Sequence, residues 1–515
     1  MPRPRRVAGS TLAELAAVAG APVPDAGPLV LTGAALDSRS VRPGDLYAAL
    51  PGAHTHGARF TAQAAAAGAL AVLTDPAGAP DAARAGLPAL VVPDPRAVLG
   101  AVSARVYGDP AADLLLLGVT GTNGKTTTSH LVEAALAAAG WRTGLVGTVC
   151  TRVAGRTLPS VRTTPEAPEL HALLALMREE QVRACAMEVS SHAVSLHRVD
   201  GLVLDVAAFT NLSQDHLDFH PTMEDYFAAK AALFTPERAR RGVVVVDDAW
   251  GRRLAAQAAA GGLAVTTVST GGTPADWRLR PGSERPRADG RPGSAFTLDG
   301  PGGLVQELST PLPGTFNVAN TALALAVLLA AGVDAATAAA GLAAAPGVPG
   351  RMEVVPGPPR APRGVVDYAH TPEAVAAALA ALRPSTSGRL VAVLGAGGDR
   401  DTGKRTAMGR AAALGADAVV VTDDNPRSEE PAAIRAAVLD GARAAAHQVQ
   451  VHEVAGRREA LALAVRLAQG PTGTVLVAGK GHEQGQEVAG QVHPFDDRAV
   501  LGEALAALER PGGAS

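Results

Sequence analysis

Cysteine is nearly absent from this chain of 515 residues. Only Cys150 and Cys185 occur, and neither sits in a C-x-x-C pair, which argues against zinc-ribbon and thioredoxin-like chemistry. A disulfide framework is excluded as well, and a reducing, cytoplasmic compartment is the simplest home. Aromatic residues make up only 3% while Ala, Gly and Pro are abundant. That bias reflects the base composition of a coding sequence more readily than a function. An excess of one charge is missing too: the net charge is −3, so no basic footprint for nucleic acid exists. Long hydrophobic runs are also lacking. No eighteen strongly apolar residues occur without a charge, so no transmembrane span is expected. The basic stretch Met1–Arg6, followed by an Ala-rich segment, superficially suggests a secretory signal. Thr11-Leu12-Ala13-Glu14, however, has capping-box spacing, and Leu12, Leu15 and Val18 fall along one helical stripe. Glu14 would interrupt the apolar region of a signal, so this segment reads as a short soluble helix.

Hydrophobic residues nonetheless reach 47%, which is ample for sizeable cores, and the length implies about three domains. Residues 1–110 mix short apolar runs (Leu46–Leu50, Ala69–Leu73, Ala89–Val92) with Gly/Pro breaks and Ala-rich helical stretches, as in a small α/β domain. Asp109-Pro110 marks a joint. Residues 111–348 open with the strand-like run Leu114–Val119, a Gly-rich turn and a helical pattern over Thr126–Ala139. Apolar runs at Val243–Val246 and Leu323–Leu329 bracket a looser stretch. Within it, residues 270–303 are rich in Gly, Pro and Arg and read as a surface excursion or hairpin insertion without a function. Residues 349–515 alternate strand-like runs (Gly364–Tyr368, Leu390–Leu394, Ala418–Thr422, Gln450–Val454, Thr474–Ala478) with helical patterns such as Pro372–Leu382 and Ala432–Ala445. This alternation predicts a Rossmann-like, doubly wound and mostly parallel sheet.

Chemistry concentrates first at residues 118–128, Gly-Val-Thr-Gly-Thr-Asn-Gly-Lys-Thr-Thr-Thr. Glycines let backbone N–H groups curl around phosphate oxygens, and the helix N-terminus that follows favours anions. In such a loop Lys125 reaches the terminal phosphates and the Thr126 hydroxyl ligates magnesium. The spacing departs from the general phosphate loop of kinases and GTPases. Val119 stands where that loop has its first glycine, and the glycines here are Gly118, Gly121 and Gly124. Glu188 closes the apolar run Ala184–Met187, which places a carboxylate at a strand end. On its own it reads as a metal ligand or as one half of an ion pair. His216, in an acidic run with Asp215 and Asp218, reads alone as a member of a helix-capping cluster, and Lys230 reads alone as a helix-surface lysine.

The form Thr-Gly-Thr-Asn-Gly-Lys-Thr resembles the ATP loop of the Mur ligase family, whose members join an amino acid or peptide to a carboxylate with ATP. Further blocks resemble the same family in order: Ala186–His192, Phe209–Asp218, Gly314–Asn320, Gly350–Glu353 and Asp367–Pro372. Together with the matches at both ends they span nearly the whole chain. The resemblance implies a central ATPase-like domain with a mostly parallel sheet. Its ATP contacts would be Gly121, Thr122, Asn123, Gly124, Lys125, Thr126, Thr127, Asn317, Arg351 and Asp367, with Lys125 and Lys230 catalytic. It implies magnesium held by Thr126, Glu188, His216 and Lys230, the last as a carbamate. A carbamate turns an ammonium into an oxygen ligand and requires a neutral amine first, hence a pKa lowered by burial.

The ends of the chain carry the implied substrates. Leu36-Asp37-Ser38-Arg39 with Pro43–Leu46 resembles the uridine-nucleotide domain, and residues 52–60 resemble its uracil or diphosphate loop. Where the family has glutamine or aspartate in that loop, His54 and His56 stand here. Leu36, Ser38, Thr163, Thr164, Ser190 and Arg198 match positions that hold UDP-N-acetylmuramoyl-L-alanyl-D-glutamate, although Leu196 replaces a common glutamine. Asp424-Asn425-Pro426-Arg427 matches the diaminopimelate-adding members, and the lysine-adding ones lack the arginine. Diaminopimelate carries a distal carboxylate that an arginine can grip in a bidentate fork. Arg400 matches a further contact to that amino acid, Gly479 and Glu483 match contacts to its other end, and all lie just after strand ends. Gly395–Arg400 is only a partial dinucleotide fingerprint and lacks its third glycine. The reading that follows is a monomeric ligase. A lysine-adding enzyme, a folylpolyglutamate-synthase-like enzyme and a nucleotide-gated scaffold are the alternatives. Arg427, the Leu36–Leu46 block and the joint retention of Lys125, Glu188, His216 and Lys230 oppose them in turn.

Overall fold

The computed structural model describes residues 2–52, 54–289, 292–445 and 449–509. Ala53 of the expected uridine loop and residues 290–291 of the Gly/Pro/Arg-rich stretch lie outside them. So do Met1 and the last six residues of the expected third domain.

Thr11 caps the first helix, Leu12–Ala19. Its hydroxyl accepts from Glu14 N, and Glu14 returns to Thr11 N, completing the capping box. Leu12 and Leu15 are buried as the stripe predicts. Val18 is 39% exposed, because the buried stripe runs through Leu12, Leu15, Ala16 and Ala19 and leaves Val18 on its flank. Four parallel strands follow in sequential order: Gly33–Ala35, Asp45–Ala49, Ala71–Thr74 and Ala89–Val91.

The second sheet has a parallel centre in which Thr143–Val146, Ala184–Glu188, Leu115–Thr120, Val206–Phe209, Arg241–Val245 and Ala264–Ser269 lie side by side. Its registers pair Glu188 with Val119 and Phe209 with Thr120. Three strands therefore end at one level, and the phosphate loop, Glu188 and Thr210 emerge together. Apolar clusters cover both faces, as a sheet buried on both sides requires. The run Leu323–Leu329 lies inside the helix Thr315–Ala330, where Leu323, Leu325 and Leu328 are fully buried. Each such leucine contributes about 1.5–3 kcal/mol through burial. The Gly/Pro/Arg-rich stretch extends the sheet: Trp277–Leu279, Arg285–Pro286 and Ser294–Asp299 join it, and Val305–Thr310 pairs with the last of these.

The third sheet runs in the order Glu353–Val355, Arg363–Asp367, Thr474–Ala478, Leu390–Leu394, Ala418–Val421 and Gln450–Glu453, parallel except for the first strand. Every strand-like run expected after residue 350 is present. Thr474–Ala478 sits between two strands that precede it in sequence, which creates a crevice at the strand ends where open sheets bind ligands. A hairpin, Gly485–Val488 and Gln491–Pro494, stands beside that crevice.

Candidate active site

Gly121 (φ 139°) and Gly124 (φ 89°) turn the chain between strand and helix. A Cβ on Gly121 would lie 1.9 Å from Thr210 Oγ1, and one on Gly124 would lie 2.4 Å from Asn320 Oδ1. No larger residue fits at either position. Residues after the neighbouring strand hold the loop in shape. Thr210 Oγ1 and Asn211 Nδ2 donate to Asn123 O at 2.6 and 3.2 Å, and Asn123 N donates to Asn211 Oδ1 at 3.0 Å. Lys125 Nζ curls back to donate to Gly121 O at 2.9 Å and Thr122 O at 2.8 Å.

Glu188 is fully buried. Its carboxylate accepts from Thr126 Oγ1 at 2.9 Å, Thr148 N at 2.7 Å and Thr148 Oγ1 at 3.1 Å. All three donors are neutral, so it is not half of an ion pair. Lys230 is not a surface residue either. It is buried on the helix Met223–Ala231, and its Nζ donates to Gly121 O at 2.8 Å. Burial, and then the charge of Lys125, push its pKa well below that of an ordinary lysine. Burial likewise lowers Lys125. His216 has φ 55°, and burial takes its ring down to about 4. Thr126, Glu188, His216 and Lys230, all expected around one metal, line one small cavity together with Lys125, Thr163 and Ser190.

Asn123, Gly124, Thr127, Asn317, Arg351 and Asp367 line the adjoining cavity of about 510 Å³, roomy enough for a nucleoside. Arg351 NH2 crosses from the third sheet to donate to Thr126 Oγ1 at 3.1 Å. Burial raises the Asp367 carboxyl, whose Oδ2 accepts from Met352 N at 2.7 Å.

Leu36 and Ser38 line a large cavity, about 820 Å³, with Arg96, Arg162 and Glu166. His56 has a structural task. Its ring accepts from Ala58 N at 3.0 Å and meets Asp75 at 3.0 Å, capping the turn Gly57–Phe60. Thr164 is wholly buried; its Oγ1 donates to Glu188 O at 2.9 Å and accepts from Ser190 N at 3.2 Å. Arg198 pairs with Glu166 at 2.9 Å. These residues connect the large cavity to the phosphate loop.

On the other side, Arg400, Asp424, Asn425, Arg427, Gly479 and Glu483 line a fourth cavity. Pro426 does not line it. Its carbonyl abuts Gly398, where a Cβ would come within 1.9 Å, so it shapes the turn. Arg427 has φ 53°. Its NH1 donates to Gly398 O at 2.6 Å, and its Nε faces Glu487 at 3.3 Å. Asp215, His216, Tyr368 and His370 belong to both this cavity and the one at the phosphate loop. Asp215 joins the two halves, with His370 at 3.7 Å and Lys404 at 4.0 Å. Burial alone would raise its carboxyl, but His370, His216 and Lys404 outweigh that and hold it far below the usual range. Asp215, His370, Lys404, Thr148 and Thr210 carry no assigned role from the sequence. The strand-end position of Thr210 was the available signal.

Comparison with known proteins fits this geometry. The Mur ligase middle domain matches residues 119–328, the Mur ligase glutamate ligase domain matches 350–481, and the Mur ligase family catalytic domain matches 30–107. The chain belongs to the Mur ligase family. Among Mur ligases, it is 56% identical over 510 residues to a Streptomyces coelicolor protein named UDP-N-acetylmuramoyl-L-alanyl-D-glutamate–2,6-diaminopimelate ligase, covering 98% of each chain. It is 50% identical to a Leifsonia xyli protein named UDP-N-acetylmuramyl-tripeptide synthetase, covering 96% of each. A solved structure described as the diaminopimelate ligase superposes with a TM-score of 0.67 at 32% identity, covering 98% of this chain and all of the other. Folylpolyglutamate synthase from Mycobacterium tuberculosis shares the fold, with a TM-score of 0.59 at 21% identity over 73% of this chain and 91% of the other. Mur ligases are ATP-dependent, and the phosphate loop matches that use. Among the described residues, no helix is long and apolar enough to cross a membrane.

Proposed function

We propose that this chain joins diaminopimelate to the D-glutamate of UDP-N-acetylmuramoyl-L-alanyl-D-glutamate, driven by ATP, in peptidoglycan precursor synthesis. The observation that carries the choice of amino acid is Arg427, a half-buried guanidinium at a cavity that adjoins the phosphate loop. The working division is residues 1–110 for the uridine nucleotide, 111–348 for ATP and 349–515 for the amino acid. The protein acts as a cytoplasmic monomer.

Atoms balance over two steps. The D-glutamyl side-chain carboxylate attacks the γ-phosphorus, ADP departs, and an acyl phosphate forms. The amine of diaminopimelate then attacks the acyl carbon, loses a proton and expels phosphate, leaving an amide. Lys125 neutralises charge spreading over the phosphoryl group. Thr163, Ser190 and Arg198 orient the peptide, and Asp215 with His370 lines the passage between acyl phosphate and amine. Closure of the domains around that passage on substrate binding brings amine and acyl phosphate together and excludes water.

The residues present suit magnesium. Among the described residues no three His, Cys, Asp or Glu side chains form a ready-made cage. Magnesium asks for only one or two protein carboxylates beside phosphate oxygens. Glu188 and the Thr126 hydroxyl would hold it, with His216 and a Lys230 carbamate completing the set. Its charge would offset that of the phosphates. A neutral Lys230 amine takes up carbon dioxide with loss of a proton, and its burial beside Lys125 favours that neutral form.

The test is phosphate release by purified protein supplied with ATP, the uridine nucleotide and a panel of diaminopimelate isomers, lysine and ornithine. Release with diaminopimelate alone is expected. Preference for lysine would reassign the amino acid, and no release with any member would leave a scaffold.

A further inference from the structure

A buried cation stands behind the amino-acid cavity without lining it. Lys480 lies just past the strand Thr474–Ala478, and its side chain has no exposed surface. Its Nζ donates to Asn425 Oδ1 at 2.8 Å and to Glu483 Oε2 at 3.0 Å. Asn425 Nδ2 donates to the same Glu483 oxygen at 2.8 Å, and Asn425 Oδ1 also accepts Glu487 N at 3.0 Å. Oε2 of Glu483 thus holds two donors, while among the described residues no hydrogen bond reaches Oε1. Arg457, the other buried cation at this edge, spends its donors on Asp497, Asp423 O and Ala478 O.

Burying an ammonium is costly, and a buried ion pair is weak evidence for stability, since apolar replacements often serve as well. What the arrangement supplies is geometry. A glutamate side chain is free about three bonds; pinning Oε2 from two directions fixes where Oε1 points. Glu483 lines the cavity with Arg427. The distal carbon of diaminopimelate carries both a carboxylate and an ammonium, so a cation and an anion presented together match it.

We infer that Lys480 is a positioning residue for substrate choice: it holds Asn425 and Glu483 so that Oε1 of Glu483 receives the distal ammonium of diaminopimelate. The inference rests on the diaminopimelate reading above.

The experiment compares wild type with Lys480→Met on diaminopimelate and on 2-aminopimelate, which keeps the distal carboxylate but lacks the distal amine. KM for diaminopimelate should rise about tenfold or more, the scale of a lost charge-assisted contact. KM for 2-aminopimelate, ATP and the uridine nucleotide should stay within about twofold; the melting temperature should fall, because one partner of a buried pair is removed, while a cooperative transition remains. Lys480→Gln keeps an amide donor in similar volume, and a smaller rise for diaminopimelate alone is expected. A folded variant whose KM is unchanged, or rises equally for both amino acids, overturns the inference. Loss of the thermal transition and of ATP-analogue binding in both variants also overturns it, because the lysine would then be structural. Absence of wild-type turnover with diaminopimelate would instead sink the ligase reading itself.

Discussion

Lys125 and Lys230 converge on a single oxygen: the Gly121 carbonyl accepts Lys125 Nζ at 2.9 Å and Lys230 Nζ at 2.8 Å. Two ammonium groups in one buried site repel each other, so one of them is readily given up as a neutral amine. Lys230 is the one more depressed. Lys230→Ala should therefore lose ligation, and bicarbonate or a small carboxylate should restore part of it by replacing the carbamate oxygens. Phosphate release with and without the additive is the measurement. A fully active variant would refute the carbamate role.

Lys125→Ala removes the cation at the phosphates and two contacts to loop carbonyls, but no apolar packing. Turnover should fall by about 10²–10³-fold or more, as for other preorganised donors to a transition state, while the melting temperature stays near that of wild type. Single-turnover phosphate release and thermal denaturation together check this.

Arg427→Ala should cost about 2–5 kcal/mol of diaminopimelate binding, as the loss of one partner of a buried charge pair does. At 1.4 kcal/mol per tenfold, KM should rise about thirty-fold or more. The Michaelis constants for ATP and the uridine nucleotide should hardly move. Lysine, expected to be a poor substrate without the distal carboxylate, should become little worse. An equal penalty on both amino acids would remove the arginine from the selectivity argument.

Acid should weaken the fold through His171. This ring is wholly buried, its Nε2 meets Asp200 O at 3.1 Å, and burial takes its pKa from 6.5 to about 4. The unfolded chain binds the proton more readily. The contribution is therefore complete above about pH 6.5 and lost as pH falls towards about 4, up to about 3 kcal/mol. His171→Gln keeps a donor for Asp200 and does not titrate. Its melting temperature should fall less steeply than that of wild type across that window.

Local signals made the scaffold legible. Short continuous apolar runs alternating with helical patterns mark the strands after residue 350, and the glycine spacing around Lys125 marks the phosphate loop, because both are encoded within a few consecutive residues. The apolar run at Leu323–Leu329 is ambiguous on its own, since a buried helix and a buried strand are both apolar throughout. His56 and Pro426 sit where ligand contacts are expected, and both also shape turns. Thr148, Asp215 and Lys480 act through partners far away in sequence, and no spacing rule reaches them. The interruption of the third sheet by Thr474–Ala478 brings Lys480 to Asn425, a neighbour that only topology supplies.

The hairpin at residues 485–494 gives Arg427 a backbone partner as well as a pocket. Arg427 N donates to Glu487 O at 3.0 Å, and Ala489 N donates to Arg427 O at 2.7 Å, so arginine and hairpin form one short ladder. A slip of one residue in a ladder turns each side chain to the opposite face. On the proposed role of Arg427, the choice of amino acid would depend partly on the length of a surface hairpin. Inserting or deleting a single residue there would shift the backbone that Arg427 pairs with while every residue lining the cavity keeps its identity, which makes the hairpin a place where specificity can drift without a substitution in the binding site.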